Sequence, residues 1–356
     1  MGRAKAPSSG VALGRYHPLL GWEKTPGSSA RIARPEYDVE VAINPHGLRG
    51  PDRGYEKGSL IRRVLILGDS FAEGYYVEEG GSVRALLETA LQGELPGAEV
   101  LNGATAGYST DQEYLFFTSE GARYRPDLVL LFVFSNDLPD NLLAVGNAGR
   151  AKPFFAVRDQ ELVLENTPVP APRGEHKEEE PGLRPFHHSV ALRWLSNRTE
   201  ESPRLNAALA RFGLVPPLSA DPPRDFSPFR TDKRREQAEM WARFEAILGG
   251  LQKAVEASGG RLLVLYVPIR FEVEDSAFEN LLARYPPPRA WDRDRVTREL
   301  KRACDAQGVP FLDPRASLKA APGPCYFPKD GHWNALGNRV VAEDLRKPVA
   351  RLLRGE

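Results

Sequence analysis

A chain of 356 residues can bury a large core, and at roughly 150 residues per domain it has room for one large domain or two modest ones. Its 48 basic and 48 acidic residues cancel, so no net field draws it toward nucleic acid or an anionic membrane surface. A hydrophobic share of 41% fits a globular protein, no stretch is apolar for long enough to cross a bilayer, and 31 prolines with 32 glycines require substantial irregular structure. The N-terminal run Met1 to Pro7 carries charge with no apolar region behind it, so a cytoplasmic location is expected of the chain as written, and a preceding segment would change that. Two cysteines, Cys304 and Cys325, are too few for a disulfide framework and lack metal-ligand spacing; both read as free thiols, with a single bridge the alternative.

Residues 1–60 read as an arm packed on the main domain. From Arg15 to Gly54 the text is polar, and Pro18, Pro26, Pro35, Pro45 and Pro51 interrupt any periodic pattern. The alternation Tyr37 to Ile43 predicts an edge strand or hairpin arm, followed by the turn Asn44-Pro45-His46-Gly47. Val64 to Leu67 is a short, branched apolar run that reads as a buried parallel strand, and it delivers Gly68-Asp69-Ser70 to its carboxyl end. Ligands of open α/β sheets bind at that end. A helix over Ser82 to Gly93, a strand over Ala98 to Asn102, the small-residue loop Gly103 to Ser109 and a helix from Thr110 to about Tyr124 follow. Leu128 to Phe134 is the most hydrophobic run, as a central strand should be, and it leads into Ser135-Asn136-Asp137.

The rhythm breaks over residues 138–232, read as an insertion and partial lid, with a β-hairpin over Phe154 to Leu164 and a short helix over Val190 to Leu195. It resumes with a long helix from Arg235 to Ser258, a strand over Arg261 to Val267, a helix from Asp292 to Gln307 and a last short strand over Gly308 to Asp313. The loop Tyr326 to Asn334 precedes a helix from Ala335 to Leu353, expected to end or kink near Pro348. The fold expected over residues 61–356 is a three-layer α/β/α domain with a flavodoxin-like five-stranded parallel sheet.

Parallel strands point their carboxyl ends the same way, so one edge collects Ser70, Gly107, Asn136, Asp330 and His332. Serine chemistry needs a nucleophile, a base, a group that orients the base, and donors for the oxyanion. His332 is the candidate base by elimination: His17 and His46 lie in the arm, and His176, His187 and His188 in the insertion. Asp330 can orient it and Ser70 can be the nucleophile. Taken singly, Ser70 also reads as a helix cap, Gly107 as a positive-φ turn residue, Asn136-Asp137 as a turn and His332 as a satisfied loop histidine. Asp69 and Asp137 read as hydrogen-bond anchors of their loops, and Trp333 and Asn334 as supports of the His332 loop.

Gly68-Asp69-Ser70, Gly107, Asn136-Asp137 and Asp330-Gly331-His332 together resemble the sequence blocks of the SGNH (GDSL) hydrolase superfamily, over roughly Val64 to Leu345. The resemblance implies a bacterial esterase of the acetylesterase kind. Ser70 would be nucleophile and, through its N–H, oxyanion donor; Gly107 and Asn136 would be the other two donors, and Asp330 and His332 would complete the triad. No metal or organic cofactor is implied, and the substrate class suggested is a small-molecule or carbohydrate ester, with O-acetyl groups foremost. The chain departs from the family pattern in having Phe134 where a glycine usually stands two residues before the asparagine, and one residue rather than two between Asp330 and His332. An O-acyltransferase using the same triad, and a non-catalytic flavodoxin-like binding protein with Gly68 to Gly74 as a phosphate cradle, are the alternatives.

Overall fold

Successive side chains of a strand point to opposite faces, and here both sets are apolar, so the central strands need a covering layer on each side. The computed structural model describes residues 13–146, 149–159, 161–172, 208–209, 211–212, 221–232 and 234–356. Five parallel strands form the sheet in the order β11-β10-β7-β5-β6, with β5 at Arg62–Leu67, β6 at Ala98–Asn102, β7 at Leu128–Phe134, β10 at Arg261–Val267 and β11 at Phe311–Leu312. Leu65, Leu67, Val129, Leu131, Val264 and Tyr266 face one core; Val64, Ile66, Leu130, Phe132, Leu263 and Leu265 face the other.

Among the described residues, the α-helices of four residues or more, in chain order, are α1 (Ser70–Glu73), α2 (Val83–Gln92), α3 (Thr110–Ser119), α4 (Asp137–Asp140), α5 (Arg234–Ala257), α6 (Arg270–Val273), α7 (Asp275–Arg284), α8 (Arg295–Ala306), α9 (Arg315–Ala320) and α10 (Ala335–Arg354). On the first face, Phe117 of α3, Phe244 and Leu251 of α5 and Leu300 of α8 close the core; on the second, Leu87 of α2 and Val341 and Leu345 of α10 do so. This is the expected three-layer α/β/α arrangement of flavodoxin-like type.

Several boundaries differ from the sequence reading. The helix expected to reach Tyr124 stops at Ser119, with Ser109 rather than Thr110 at its N-cap, and a 3-10 turn covers Gly121–Tyr124. There the chain drops onto β5, and a Cβ on Gly121 would lie 2.9 Å from the Leu65 side chain. The last strand shrinks to two residues, because Gly308 turns with φ +67° and Pro310 has no N–H for the ladder. Helix α10 continues through Pro348. An interior proline costs about 3 kcal/mol, but Val349 and Leu353 beyond it are buried, and each such side chain returns roughly 1.5–3 kcal/mol. Helix α7 was not anticipated. Cys304 and Cys325 are both buried and free. Residues 190–195, where a short helix was expected, lie outside the described residues.

The arm forms two antiparallel hairpins, β1 (Gly14–His17) with β2 (Gly21–Lys24), and β3 (Ser29–Ala33) with β4 (Asp38–Ala42). Only the second was anticipated. The hairpin in the insertion pairs β8 (Phe154–Arg158) with β9 (Glu161–Glu165), and it packs on α5 and α3 through Phe155, Leu162 and Tyr114. Among the described residues, no helix is long and apolar enough to cross a membrane.

The turn from β5 into α1 has no room for a side chain. Gly68 has φ +151°, and a Cβ there would lie 2.6 Å from the Ala72 Cβ and 2.9 Å from the Phe132 Cβ. Gly68→Ala is therefore expected to cost roughly 2–4 kcal/mol, as overpacking combined with backbone strain does, measured as a lowered urea midpoint at unchanged slope.

Candidate active site

Ser70 opens α1, separated from the end of β5 only by Gly68 and Asp69. The Asp69 carboxylate accepts the Phe71 N–H at 2.9 Å, and Gly74 closes the turn in the left-handed region. These contacts point the first residue of the turn outward at the sheet edge. On either side of β5 lie β6 and β7, whose ends lead to Gly107 and Asn136. Gly107 has φ +78° in the turn closed by the Tyr108 N–H to Thr105 carbonyl bond, and the Thr105 N–H donates to the Gly68 carbonyl at 2.9 Å, binding that loop to the serine loop. Asp137 accepts the Phe134 N–H at 3.0 Å and so folds the chain back beneath Asn136; the phenyl ring of Phe134 packs on Phe71.

The chain end supplies the rest. The Ser70 Oγ lies 2.7 Å from His332 Nε2, and His332 Nδ1 lies 2.6 Å from Asp330 Oδ1. Partial burial pushes the Asp330 carboxyl up, but the hydrogen bond and charge of His332 outweigh it and hold the group below its ordinary value. An ionised Asp330 accepts from Nδ1–H, which leaves Nε2 to accept the serine hydroxyl proton. The structure thus joins Ser70, His332 and Asp330 directly, with Gly107 and Asn136 at the two flanking strand ends.

Other contacts at this edge carried no signal in the sequence. The His332 ring lies between Phe71 and Tyr76, with centroids 4.4 and 3.9 Å away, which fixes its plane and offers two π faces to an imidazolium. Glu36, at the tip of the β3–β4 hairpin, accepts the N–H groups of Lys329 and Asp330 at 3.0 and 2.9 Å, and the neighbouring Tyr37 hydroxyl donates to Asp330 Oδ2 at 3.3 Å. From the other hairpin, the Trp22 indole donates to the Ala106 carbonyl at 3.1 Å, and the buried Lys24 ammonium bonds Thr105 Oγ1 at 3.0 Å as well as the Ala104 carbonyl. Burial lowers Lys24 to about 8. Trp333 packs edge-on against Phe71, and Asn334 caps α10 through the N–H groups of Leu336 and Gly337, so both support the His332 loop.

Behind the serine lies a group of buried carboxyls. Burial pushes Asp69 up to about 6, and burial with mutual charge raises Glu113 and Asp137 well above the ordinary range. Both carboxyl oxygens of Glu113 are buried with no partner among the described residues, as are Ser135 Oγ and Asn136 Oδ1. Among the described residues, no group of three or more His, Cys, Asp or Glu is placed to hold a metal ion.

A model of the GDSL-like lipase/acylhydrolase family matches residues 66–340, which takes in every block of the site. The chain belongs to this family. This GDSL-like acylhydrolase is accordingly a carboxylic ester hydrolase. No curated protein is a significant match. Among solved structures, it is similar to TesA (13% identity, TM-score 0.43, covering 82% of this chain and 99% of that one). It is also similar to Axe2, an acetylxylan esterase from Geobacillus stearothermophilus (12%, 0.41, 82% and 94%), and to the lipase/acylhydrolase from Enterococcus faecalis (12%, 0.42, 82% and 96%).

Two outcomes are expected of the site's electrostatics. Asp330 must be ionised to hold Nδ1–H, and Tyr37 helps keep its carboxyl low. Tyr37→Phe should raise it, with kcat reduced roughly fivefold at neutral pH, the worth of one hydrogen bond. For Glu113 the folded protein favours the protonated acid, so its contribution to stability is full below the ordinary glutamate value and falls as pH rises. Glu113→Gln breaks no hydrogen bond to the described residues, so melting curves from pH 5 to 9 should show it gaining on the wild type as pH rises.

Proposed function

We propose that this hydrolase cleaves its ester through an acyl-Ser70 intermediate. The observation that carries the reading is the continuous relay from Ser70 Oγ to His332 Nε2 and from Nδ1 to an ionised Asp330. In the first step Ser70 Oγ bonds to the carbonyl carbon while its proton passes to Nε2. The carbonyl oxygen becomes an oxyanion, and the Ser70 N–H, the Gly107 N–H and the Asn136 side-chain amide receive it. None of these three donors has a hydrogen-bond partner among the described residues, as suits groups kept for a substrate. Collapse of the intermediate breaks the carbon–oxygen bond to the alcohol, which departs with the proton from Nε2. Water then repeats the sequence on the acyl-serine, giving up one proton to Nε2; the carboxylic acid leaves as Ser70 regains its hydrogen.

The arm and the end of the insertion act as parts of this site rather than as separate units. Pro223, Asp225 and Phe226 line the same cavity as His332, so we assign the partial lid to this end of the insertion. The hairpin of β8 and β9, packed on α5, contributes no residue to that cavity.

The test is turnover of p-nitrophenyl acetate with mass analysis after a fluorophosphonate. Ser70→Ala and His332→Ala should each lose roughly a thousandfold or more in kcat, and Asn136→Ala on the order of a hundredfold. The adduct should map to Ser70. Equal turnover by all four proteins, with Ser70 unlabelled, overturns the mechanism.

A further inference from the structure

The cavity beside His332 extends well past the triad. It encloses about 540 Å3, in the range of small-molecule sites. Phe71 and Phe134 wall it at the Ser70 end, and Phe226, Ile269, Phe271 and Leu281 continue the apolar surface away from the sheet. An acetyl group would leave most of these walls uncovered. The hydroxyls of a polysaccharide would find partners where Arg270, Asn280, Arg284 and Lys329 line the cavity, but would lie unpaired along these apolar walls, at a desolvation cost.

Which half of the ester enters is settled by the direction of proton transfer. The departing alcohol takes its proton from His332 Nε2, so the alcohol half must lie on the histidine side of Ser70. His332, Gly331 and Asp330 themselves line this cavity. We infer that the preferred substrate is an ester of an extended apolar alcohol, alkyl or aryl, whose alcohol half fills the cavity between α7 and the Asp330–His332 loop. The inference rests on the acyl-Ser70 mechanism proposed above. Independent segments build these walls: the end of the insertion at Phe226, the β10–α6 connection at Ile269 with α6 at Phe271, and α7 at Ala277 and Leu281. Asp225 stands among them near His332, its carboxyl raised by burial. With Arg270, Asn280, Arg284, Tyr285 and Lys329 it gives the cavity polar contacts beside the apolar walls, where an aryl or unsaturated alcohol would still fit.

The experiment is a pair of ester series on the full chain. In the first, acetate esters of ethanol, butanol, hexanol and octanol are compared; in the second, ethyl esters of acetic, butanoic, hexanoic and octanoic acids. In the alcohol series kcat/KM should rise roughly three- to fourfold per methylene until the cavity is full, the return expected for burying each one, and the acyl series should stay nearly flat. Ala277→Trp, whose half-buried site on α7 faces the cavity, should bring the octyl-to-ethyl acetate ratio down toward one, its folding checked by thermal melting. A flat or falling alcohol series, a rise in the acyl series instead, or faster hydrolysis of acetylated xylose overturns the inference. Ser70→Ala, run on both series, keeps the two readings apart. If that variant is inactive while the alcohol series is flat, only the cavity assignment fails; if it stays active, the acyl-serine mechanism fails first.

Discussion

The site depends on one close approach. At Gly68 the chain leaves β5 and turns at once into α1 with no Cβ between Ala72 and Phe132. Any side chain there would push α1 off the sheet and carry Ser70 with it. Because β5 lies between β6 and β7, the same turn places the serine between the two strands whose ends lead to Gly107 and Asn136. Burial of strand residues on both faces pins the register that makes this arrangement repeatable, since a one-residue slip would exchange the two cores.

The loops at this edge do not hold themselves. Loops rich in small residues, such as Gly103 to Ser109, have little side-chain surface to pack, and the arm supplies what they lack. Trp22 and Lys24 tie down the Gly107 loop, while Glu36 and Tyr37 tie down the loop of Asp330. Placing an ammonium in the interior at Lys24 is costly, as its lowered pKa records, and the two oxygen acceptors compensate. The arm thereby holds one side of the site through its first hairpin and the other side through its second.

The central strands, and the residues that meet at their carboxyl ends, were legible in the sequence because each follows from a local pattern. Val64 to Leu67 and Leu128 to Phe134 are apolar runs of strand length, and Ser70, Asn136 and His332 fall just past predicted element ends. What was not legible depends on contacts between distant segments. Nothing near Tyr76 announces that its ring will lie on His332, and Glu36 looks like any hairpin-tip carboxylate until the Asp330 loop arrives above it. The β1–β2 hairpin was hidden by Pro18 and by strands of only four residues. Helix α7, and with it a wall of the cavity, has few large apolar residues in its text and ends just before Pro286, Pro287 and Pro288, which interrupt any helical pattern. The early stop of α3 has the same origin: a tertiary contact at Gly121 overrides a helical pattern that continues in the text.

The span of these contacts bears on how the enzyme is made. Ser70 and His332 are 262 positions apart, and Tyr37 and Asp330 are 293 apart. Glu36 thus waits for the distant Asp330 loop to emerge before its acceptors have those N–H groups to bind, and loop closure of that length favours slow, late assembly. The sheet strands β5, β6 and β7 can pair while the C-terminal loop is still unmade. A nascent chain therefore carries Ser70 before His332 can reach it, and the hydrogen-bonded series Ser70–His332–Asp330 closes only when that late loop folds back onto β5.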